Sequence, residues 1–340
     1  MATAAEAHQP SPELIFQTLN AYQQTAALKG ALEFDLFTWI GEGANTAEAL
    51  ARKCAAAERG MRILCDYLVI HGFLTKEGNR YGLTPDSAMF LDRHSPAYLG
   101  TVARFLTSPA LMDGYRDVAA VVRKGGAVSS EHGTLAPDDP IWIEFARSMA
   151  PMMVTPAESI AELLDADSKP KWKVLDIAAG HGLFGIALAR HNPNAGIAAV
   201  DWSGVLTVAR ENAQKAGVAG RYRTIPGSAF DVDFGAGYDL ALLTNFLHHF
   251  DPPTIEKLLR KVHAALAPNG RAVTLEFVPN DDRVTPPTAA AFSMIMLGTT
   301  PSGDAYTFSQ YQRMFQSAGF RSSELHSLPP TFQQVIVSHK

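Results

Sequence analysis

Residues 173–185 read KVLDIAAGHGLFG. Val174, Leu175 and Ile177 have the apolar, β-branched character of a buried strand. Gly180, Gly182 and Gly185 follow at once, as in a tight turn opening a helix. What comes next repeats that rhythm. The strand-like runs are GIAAVD (196–201), YRTIPG (222–227), YDLALLTN (238–245) and RAVTLEF (271–277). Helical spacing is read after Gly182 and over 205–216 and 254–267. The alternation predicts an α/β domain, a mostly parallel Rossmann-like sheet with helices on both faces. The end of the chain differs. A helix is expected over 308–318 with Gly319 as its stop. SSELHSL (322–328) and FQQVIVS (332–338) flank Pro329 and Pro330, which predicts a terminal antiparallel pair.

Two cofactors compete for the loop. The spacing of Gly180, Gly182 and Gly185 matches a dinucleotide fingerprint, a weak signal alone. Counted from Asp176, the same stretch is Asp-x-Ala178-x-Gly180-x-Gly182. An acid at the end of the first strand suits a cationic tail better than a diphosphate. S-adenosylmethionine carries an ammonium and a sulfonium and no phosphate, so Asp176 favours it over NAD. Asp201 ends the second strand, where a carboxylate accepts hydrogen bonds from both ribose hydroxyls of either cofactor; a helix-capping role is the structural alternative. Trp202 either covers an adenine face or is an ordinary core residue. After Gly227, Ser228, Ala229 and Phe230 are placed to meet the adenine edge.

The fourth strand ends near Thr244 and Asn245, the end at which ligands bind in such sheets. His248 and His249 lie just beyond. Neutral imidazole is the natural base near neutral pH, and the residues alone do not say which of the two serves. Glu276 ends the next strand and is expected beside His248, where a carboxylate on one ring nitrogen fixes the tautomer and raises the basicity of the other. His263, in the preceding helix, is read as a surface residue.

Upstream, residues 12 to about 105 are mostly helical. Leu14, Ile15, Thr18, Leu19 and Tyr22 keep helical spacing, and a second helix is expected over 26–40, stopped by Gly41 and Gly43. Thr46 reads as an N-cap with Glu48 in the first turn. A helix over 59–70 ends at Gly72. Residues 73–84 form a hairpin around Glu77-Gly78-Asn79. Helix, helix and hairpin make a winged-helix pattern. Its second helix carries Ile63, Leu64, Cys65, Tyr67, Leu68, Val69 and Ile70, with basic residues only at Arg59 and Arg62. Packing against protein therefore outranks DNA binding. Residues 106–160 are punctuated by Pro109, Gly125, Gly126, Pro137, Pro140, Pro151 and Pro156. The aromatic and methionine stripe within them is read equally as core or as the wall of a pocket for a flat apolar ligand.

Composition bounds the rest. Of 340 residues, 47% are apolar and 19% charged, with a net charge of −5, which supports a real core and gives no basic footprint for nucleic acid. Two cysteines, Cys54 and Cys65, cannot build a disulfide framework or a metal site; they read as reduced thiols of a cytoplasmic protein. The start, MATAAEAHQPSPEL, has no signal-peptide pattern, and no apolar run is long enough to cross a bilayer.

Taken in this order, the motifs resemble the dimeric small-molecule O-methyltransferase family, which includes plant caffeate and flavonoid methyltransferases, animal acetylserotonin methyltransferase and bacterial natural-product enzymes. The resemblance spans nearly the whole chain. It implies a winged-helix-like dimerisation domain (1–105), a helical linker contributing to the substrate pocket (106–160) and an S-adenosylmethionine-binding catalytic domain (161–340). It assigns LDIAAGHG to the cofactor loop and Asp201 to the ribose. It places Ser228 and Ala229 at the adenine, and it maps the family's Leu-His-Asp-Trp onto Leu247-His248-His249-Phe250. His248 is then the base and Glu276 its flanking acid. The departures are Ala178 for the first loop glycine, Ser228 for an acid, His249-Phe250 for Asp-Trp, and Ala305 where plant members carry a second flanking acid.

The function expected is methyl transfer from S-adenosylmethionine to a hydroxyl of a small, flat, largely apolar metabolite by a homodimer, without metal, nucleic acid or membrane. Candidate pocket walls are Phe145, Met149, Met152, Met153, Phe292, Met294 and Met296. The alternatives are methyl transfer to N, S or C, a non-methylating regulatory protein built on the winged helix, and an NAD-dependent oxidoreductase.

Overall fold

The computed structural model describes residues 10–136, 138–168 and 171–340; the reading of residues 1–9 as lacking a signal, and Pro137, lie outside them. The chain forms two compact units, the first ending at Ala103 and the second running from Arg104 to Lys340.

In the first unit one long helix, Glu13–Glu33, is followed by a short one, Leu36–Gly41. The expected helix over 26–40 is therefore split. Asp35 adopts a left-handed conformation at φ 53°, which breaks the hydrogen-bond ladder and turns Leu36, Phe37 and Ile40 into the core. Aspartate tolerates that region better than most residues. Thr46 caps helix Ala47–Lys53, its hydroxyl accepting from the Ala49 amide at 3.2 Å. Helix Glu58–Ile70 buries Met61, Cys65 and Leu68. Strands β1 (Leu74–Glu77) and β2 (Arg80–Leu83) pair antiparallel. Asp66 holds helix and hairpin together, accepting from Tyr81 Oη at 2.8 Å, Lys76 Nζ at 2.5 Å and Arg62 at 2.9 Å. Those bonds hold its carboxyl below the usual range. The long first helix buries only Ala31 and exposes Leu14, Ile15, Phe16, Leu19 and Tyr22.

The second unit is built on β3 (Lys173–Ile177), β4 (Gly196–Asp201), β5 (Tyr222–Pro226), β6 (Tyr238–Thr244), β7 (Leu266–Glu276), β8 (Ser322–Ser327) and β9 (Gln334–His339). Their order is β5-β4-β3-β6-β7-β9-β8. The first five are parallel, and β9 inserts antiparallel between β7 and β8. Period-two alternation divides the core. Val174, Leu240, Leu242 and Val273 pack on one face, while Leu175, Ala241, Leu243 and Ala272 pack on the other. Helices Ala150–Leu163 and Leu183–His191 contribute to the first cluster, and Pro252–Ala265 and Phe308–Ser317 to the second. The expected helix over 254–267 stops at Ala265, because β7 begins at Leu266 with an irregular register opposite Tyr238. His263 is half-buried against the Phe320 ring at 5.2 Å, not a free surface residue.

The strand order reverses at β3, with β4 on one side and β6 on the other. Ligands of open α/β sheets bind at the carboxyl ends there.

Candidate active site

The loop leaving β3 is shaped by left-handed residues: Ala178 at φ 52°, Gly180 at 57° and Gly182 at 76°. Ala178 holds with a Cβ the conformation glycine takes freely, at a cost of about 1–2 kcal/mol. Gly182 has no such latitude, since a Cβ there would lie 2.6 Å from Tyr222 Oη and 3.0 Å from the Ala209 Cβ. The loop is pinned by acids. Asp201 Oδ2 accepts from the Gly180 amide at 2.8 Å and Oδ1 from the Trp202 amide at 2.7 Å. Trp202, not Asp201, is the N-cap of helix Ser203–Lys215. Burial pushes the Asp201 carboxyl up to about 6 against the pull of those two amides.

Asp176 departs from expectation. It has no exposed surface, and Oδ2 accepts from the Gly185 amide at 3.2 Å. Its other oxygen is sealed without a partner among the described residues. Burial raises its pKa to about 7. The carboxyl group thus lies sealed beneath the loop, not as an open contact. His181 is buried too, its Nδ1 accepting from the Leu183 amide at 3.2 Å; burial lowers its pKa to about 4 and keeps it neutral.

On the β5 side, Ser228 Oγ accepts from the Phe230 amide at 3.1 Å, so its hydroxyl shapes its own turn. Ala229 is buried, and Phe230 stands edge-on to Phe250 at 5.0 Å. Lys261, which sequence reasoning missed, clamps the turn from the following helix, donating to the Ala229 and Phe230 carbonyls at 3.0 and 2.9 Å. Trp202 packs with Trp142, Ile143 and Val205, a partly buried ring at the edge of a small core. Thr244 is buried, and Asn245 is left-handed at φ 54°. The Asn245 carboxamide is already engaged, accepting from Gln333 and donating to Met153 Sδ at 3.6 Å. That leaves the amide one N–H and one oxygen lone pair for any further partner.

Beyond Asn245 the chain makes a tight turn, Leu247–His249, closed by Glu276. Glu276 is completely buried. Its Oε1 faces the amides of Phe246, Leu247 and His248 at 3.2, 2.9 and 3.4 Å. Its Oε2 meets His248 Nδ1. One carboxylate therefore fixes both the turn and the imidazole it carries. A carboxylate only accepts, so Nδ1 carries the proton and His248 Nε2 is left with its lone pair. Gly303 lets a second loop close over the turn, because a Cβ there would collide with the His248 carbonyl. The Asp304 amide donates to that carbonyl at 2.9 Å, while the Asp304 side chain turns away to Arg283 at 2.8 Å. Ala305 is fully buried. His248 is thus held by a single acid.

The apolar side chains that the sequence assigned to a pocket follow the helical period. Phe292 lies edge-on to His248 at 4.8 Å and stacks on Phe277 at 4.2 Å. Met296, one turn on, is buried, whereas Met294 is 40% exposed, about 200° round the helix from Phe292. Phe145, Met149 and Met153 likewise form one stripe, with Met149 and Met153 buried and Met152 40% exposed. Met152 and Met294 therefore stand on other faces of their helices than Met153 and Phe292. Phe145 packs between Phe105 at 5.0 Å and Trp142 at 5.7 Å, and Trp142 reaches His249 at 5.3 Å. Among the described residues there is no metal-binding cluster and no helix long and apolar enough to cross a membrane.

Sheet order, with an antiparallel strand inserted beside β7, and the glycine loop are those of the Rossmann-like methyltransferase class. The comparisons are more specific. An O-methyltransferase domain model matches residues 122–321, and an O-methyltransferase dimerisation domain model matches residues 16–93. The chain belongs to this O-methyltransferase family and is an S-adenosylmethionine-dependent enzyme of small metabolites. A candidate O-methyltransferase from Nostoc punctiforme, solved by crystallography, is 58% identical with a TM-score of 0.95, covering 98% of this chain and 100% of that one. The 3-hydroxy-5-methyl-1-naphthoate 3-O-methyltransferase of Streptomyces sahachiroi is 27% identical over 321 residues, 91% of this chain and 89% of its own length. Human N-acetylserotonin methyltransferase in complex with S-adenosylmethionine shares the fold at 20% identity and a TM-score of 0.85, covering 99% of each chain.

The site fits that cofactor. Asp201 lies half-buried beside the loop, where a diol would be received. The orphaned Asp176 oxygen lowers the potential beneath the loop, which favours a cation above it.

Proposed function

We propose that the enzyme methylates a hydroxyl of a flat, largely apolar metabolite, with His248 as general base. The reading is carried by one observation: Glu276, fully buried, meets His248 Nδ1 and leaves Nε2 as the free nitrogen. S-adenosylmethionine, when bound, supplies a methyl group already activated on its sulfonium. Asp201 receives the ribose, the loop 178–182 and the buried Asp176 favour the cationic end, and Phe230 with Ala229 flanks the adenine. His248 Nε2 takes the acceptor's proton as the hydroxyl oxygen attacks. Glu276 keeps the imidazole in the right tautomer and steadies its positive charge. Phe145, Met149, Met153, Phe292 and Phe277 exclude water and align the acceptor. Alignment supplies most of the acceleration, and the base adds about 10²–10⁴-fold.

Residues 106–160 serve the pocket of the same active site, the first helix pairs two copies into a homodimer, and the protein works in the cytoplasm without nucleic acid. The test of the base is His248→Ala. Turnover should drop by about 10²–10⁴-fold, while affinity for S-adenosylhomocysteine stays within about twofold. Undiminished turnover would eliminate His248.

A further inference from the structure

His249 stands beside the base, and the reaction above leaves it unused. It is 9% exposed. Its ring lies 4.2 Å from that of His248 at 62° and 5.3 Å from Trp142 at 73°, with Phe250 at 6.2 Å. Of its two ring nitrogens only Nδ1 is sealed off without a partner among the described residues. A neutral imidazole carries one proton. A sealed N–H with no acceptor is rarer and costlier than a sealed lone pair, so the proton belongs on Nε2. Burial and the neighbouring His248 both oppose a second proton. His249 is a fixed neutral donor. His248, with Nδ1 committed to Glu276, is a fixed acceptor. The two rings meet edge to face, with Trp142 against His249 and Phe292 against His248.

We infer that His249 selects the acceptor, its Nε2–H taking a carbonyl, carboxylate or ether oxygen on the carbon next to the reacting hydroxyl. The inference rests on His248 receiving that hydroxyl. Neighbouring ring oxygens are separated by about one hydrogen-bond length, a spacing that two adjoining imidazoles can span. The family motif has an acid at this position, which can only accept and so would favour a second hydroxyl. Histidine inverts that polarity. The substrate class is therefore an aromatic hydroxyl with an adjacent oxygen that has no proton of its own to give.

The test uses two probes differing in one atom group, 3-methoxy-2-naphthol and 3-ethyl-2-naphthol. Each is titrated calorimetrically into the full-length protein saturated with S-adenosylhomocysteine. The native enzyme should prefer the methoxy probe by about three- to tenfold, the worth of one neutral hydrogen bond. His249→Phe should abolish the preference, and His249→Gln, which retains an N–H donor, should keep it. Equal affinities in the native enzyme, no binding of either probe, or a preference that survives His249→Phe would each overturn the inference. Nitrogen-15 shifts of the native protein test it without any variant: a neutral His249 protonated on Nε2 supports it, and protonation on Nδ1 refutes it. Methyl transfer to the methoxy probe is read separately. A preserved binding preference without turnover would count against His248 as base and leave His249 as the selector.

Discussion

Glu276→Gln changes one buried charge and almost no volume. In the native protein the carboxylate accepts from three backbone amides and from His248 Nδ1. The amide oxygen of glutamine can still serve the backbone of the 246–248 turn. Its NH₂ then faces Nδ1, which must become the acceptor, and the ring proton moves to Nε2. The base loses its lone pair where the acceptor sits. It also loses the anion that steadies the imidazolium, a charge-assisted bond worth about 1.5–3 kcal/mol. Wrong tautomer and lost charge together should lower kcat by about 10²–10⁴-fold. S-adenosylhomocysteine affinity should stay within about twofold, because Asp201 and the glycine loop are untouched. Stability should change by no more than about 2 kcal/mol, since the lost bond is offset by relief of a buried charge. Methyl transfer from labelled S-adenosylmethionine measures the rate, and nitrogen-15 shifts of His248 report the tautomer without any acceptor. Retention of Nδ1–H in the variant, or full kcat, would refute the reasoning.

Other perturbations address separate parts of the molecule. Asp201→Asn should weaken S-adenosylhomocysteine binding by about 10²- to 10⁴-fold, two hydrogen bonds to a charged group at about 1.5–3 kcal/mol each; calorimetry measures it. With its carboxyl at about 6, native Asp201 should also lose affinity for the cofactor as pH falls below 6. Both acids have raised pKa values, about 7 for Asp176 and about 6 for Asp201. Their folded-state pKa values lie above those of an unfolded chain, so the stability they contribute is full below about pH 4 and is lost progressively as pH rises from about 4 to 7. The Tm of the cofactor-free protein should therefore decline across that window, and less so in Asp176→Asn. Gly182→Ala combines φ 76° with a Cβ 2.6 Å from Tyr222 Oη, and should cost about 2–4 kcal/mol in a denaturant melt. Ile15→Glu with Leu19→Glu removes two exposed apolar side chains of the first helix. At about 1.5–3 kcal/mol each if buried in a dimer, the loss should make the variant sediment as a monomer at micromolar concentration, and the native chain as the proposed dimer.

The features legible in the sequence are those set by neighbours along the chain. The strand and helix alternation, the glycine loop, the Thr46 cap and the hairpin around Gly78 depend on a few adjacent residues each. The break at Asp35 was hidden because neither glycine nor proline marks it; aspartate entering the left-handed region looks like any helical position in a pattern. A run of methionines does not by itself say which of them share the face of Phe292 or Phe145; the 3.6-residue period does, and it sets Met294 and Met152 apart. The burial of Asp176, the clamp of Lys261 on the 229–230 carbonyls, the capture of Asn245 by Gln333 and the fit of Gly303 against His248 all join segments far apart in sequence. Nothing local announces them. The pairing of His248 with Glu276 was foreseeable only because both stand at ends of adjacent strands.

The last strand gives the active site a place in time. β9 (Gln334–His339) inserts between β7 and β8 and pairs with β7 up to Glu276 itself, opposite Gln334. A ribosome-bound chain that has not yet released those residues has β7 as an open edge, and Glu276 lacks the neighbour that fixes its strand. The cofactor loop, made of segments completed well over a hundred residues earlier, has no such dependence. During synthesis the enzyme should therefore acquire the means to hold its methyl donor before it acquires a working base, so that a half-made molecule is a receptor and only the finished one a catalyst.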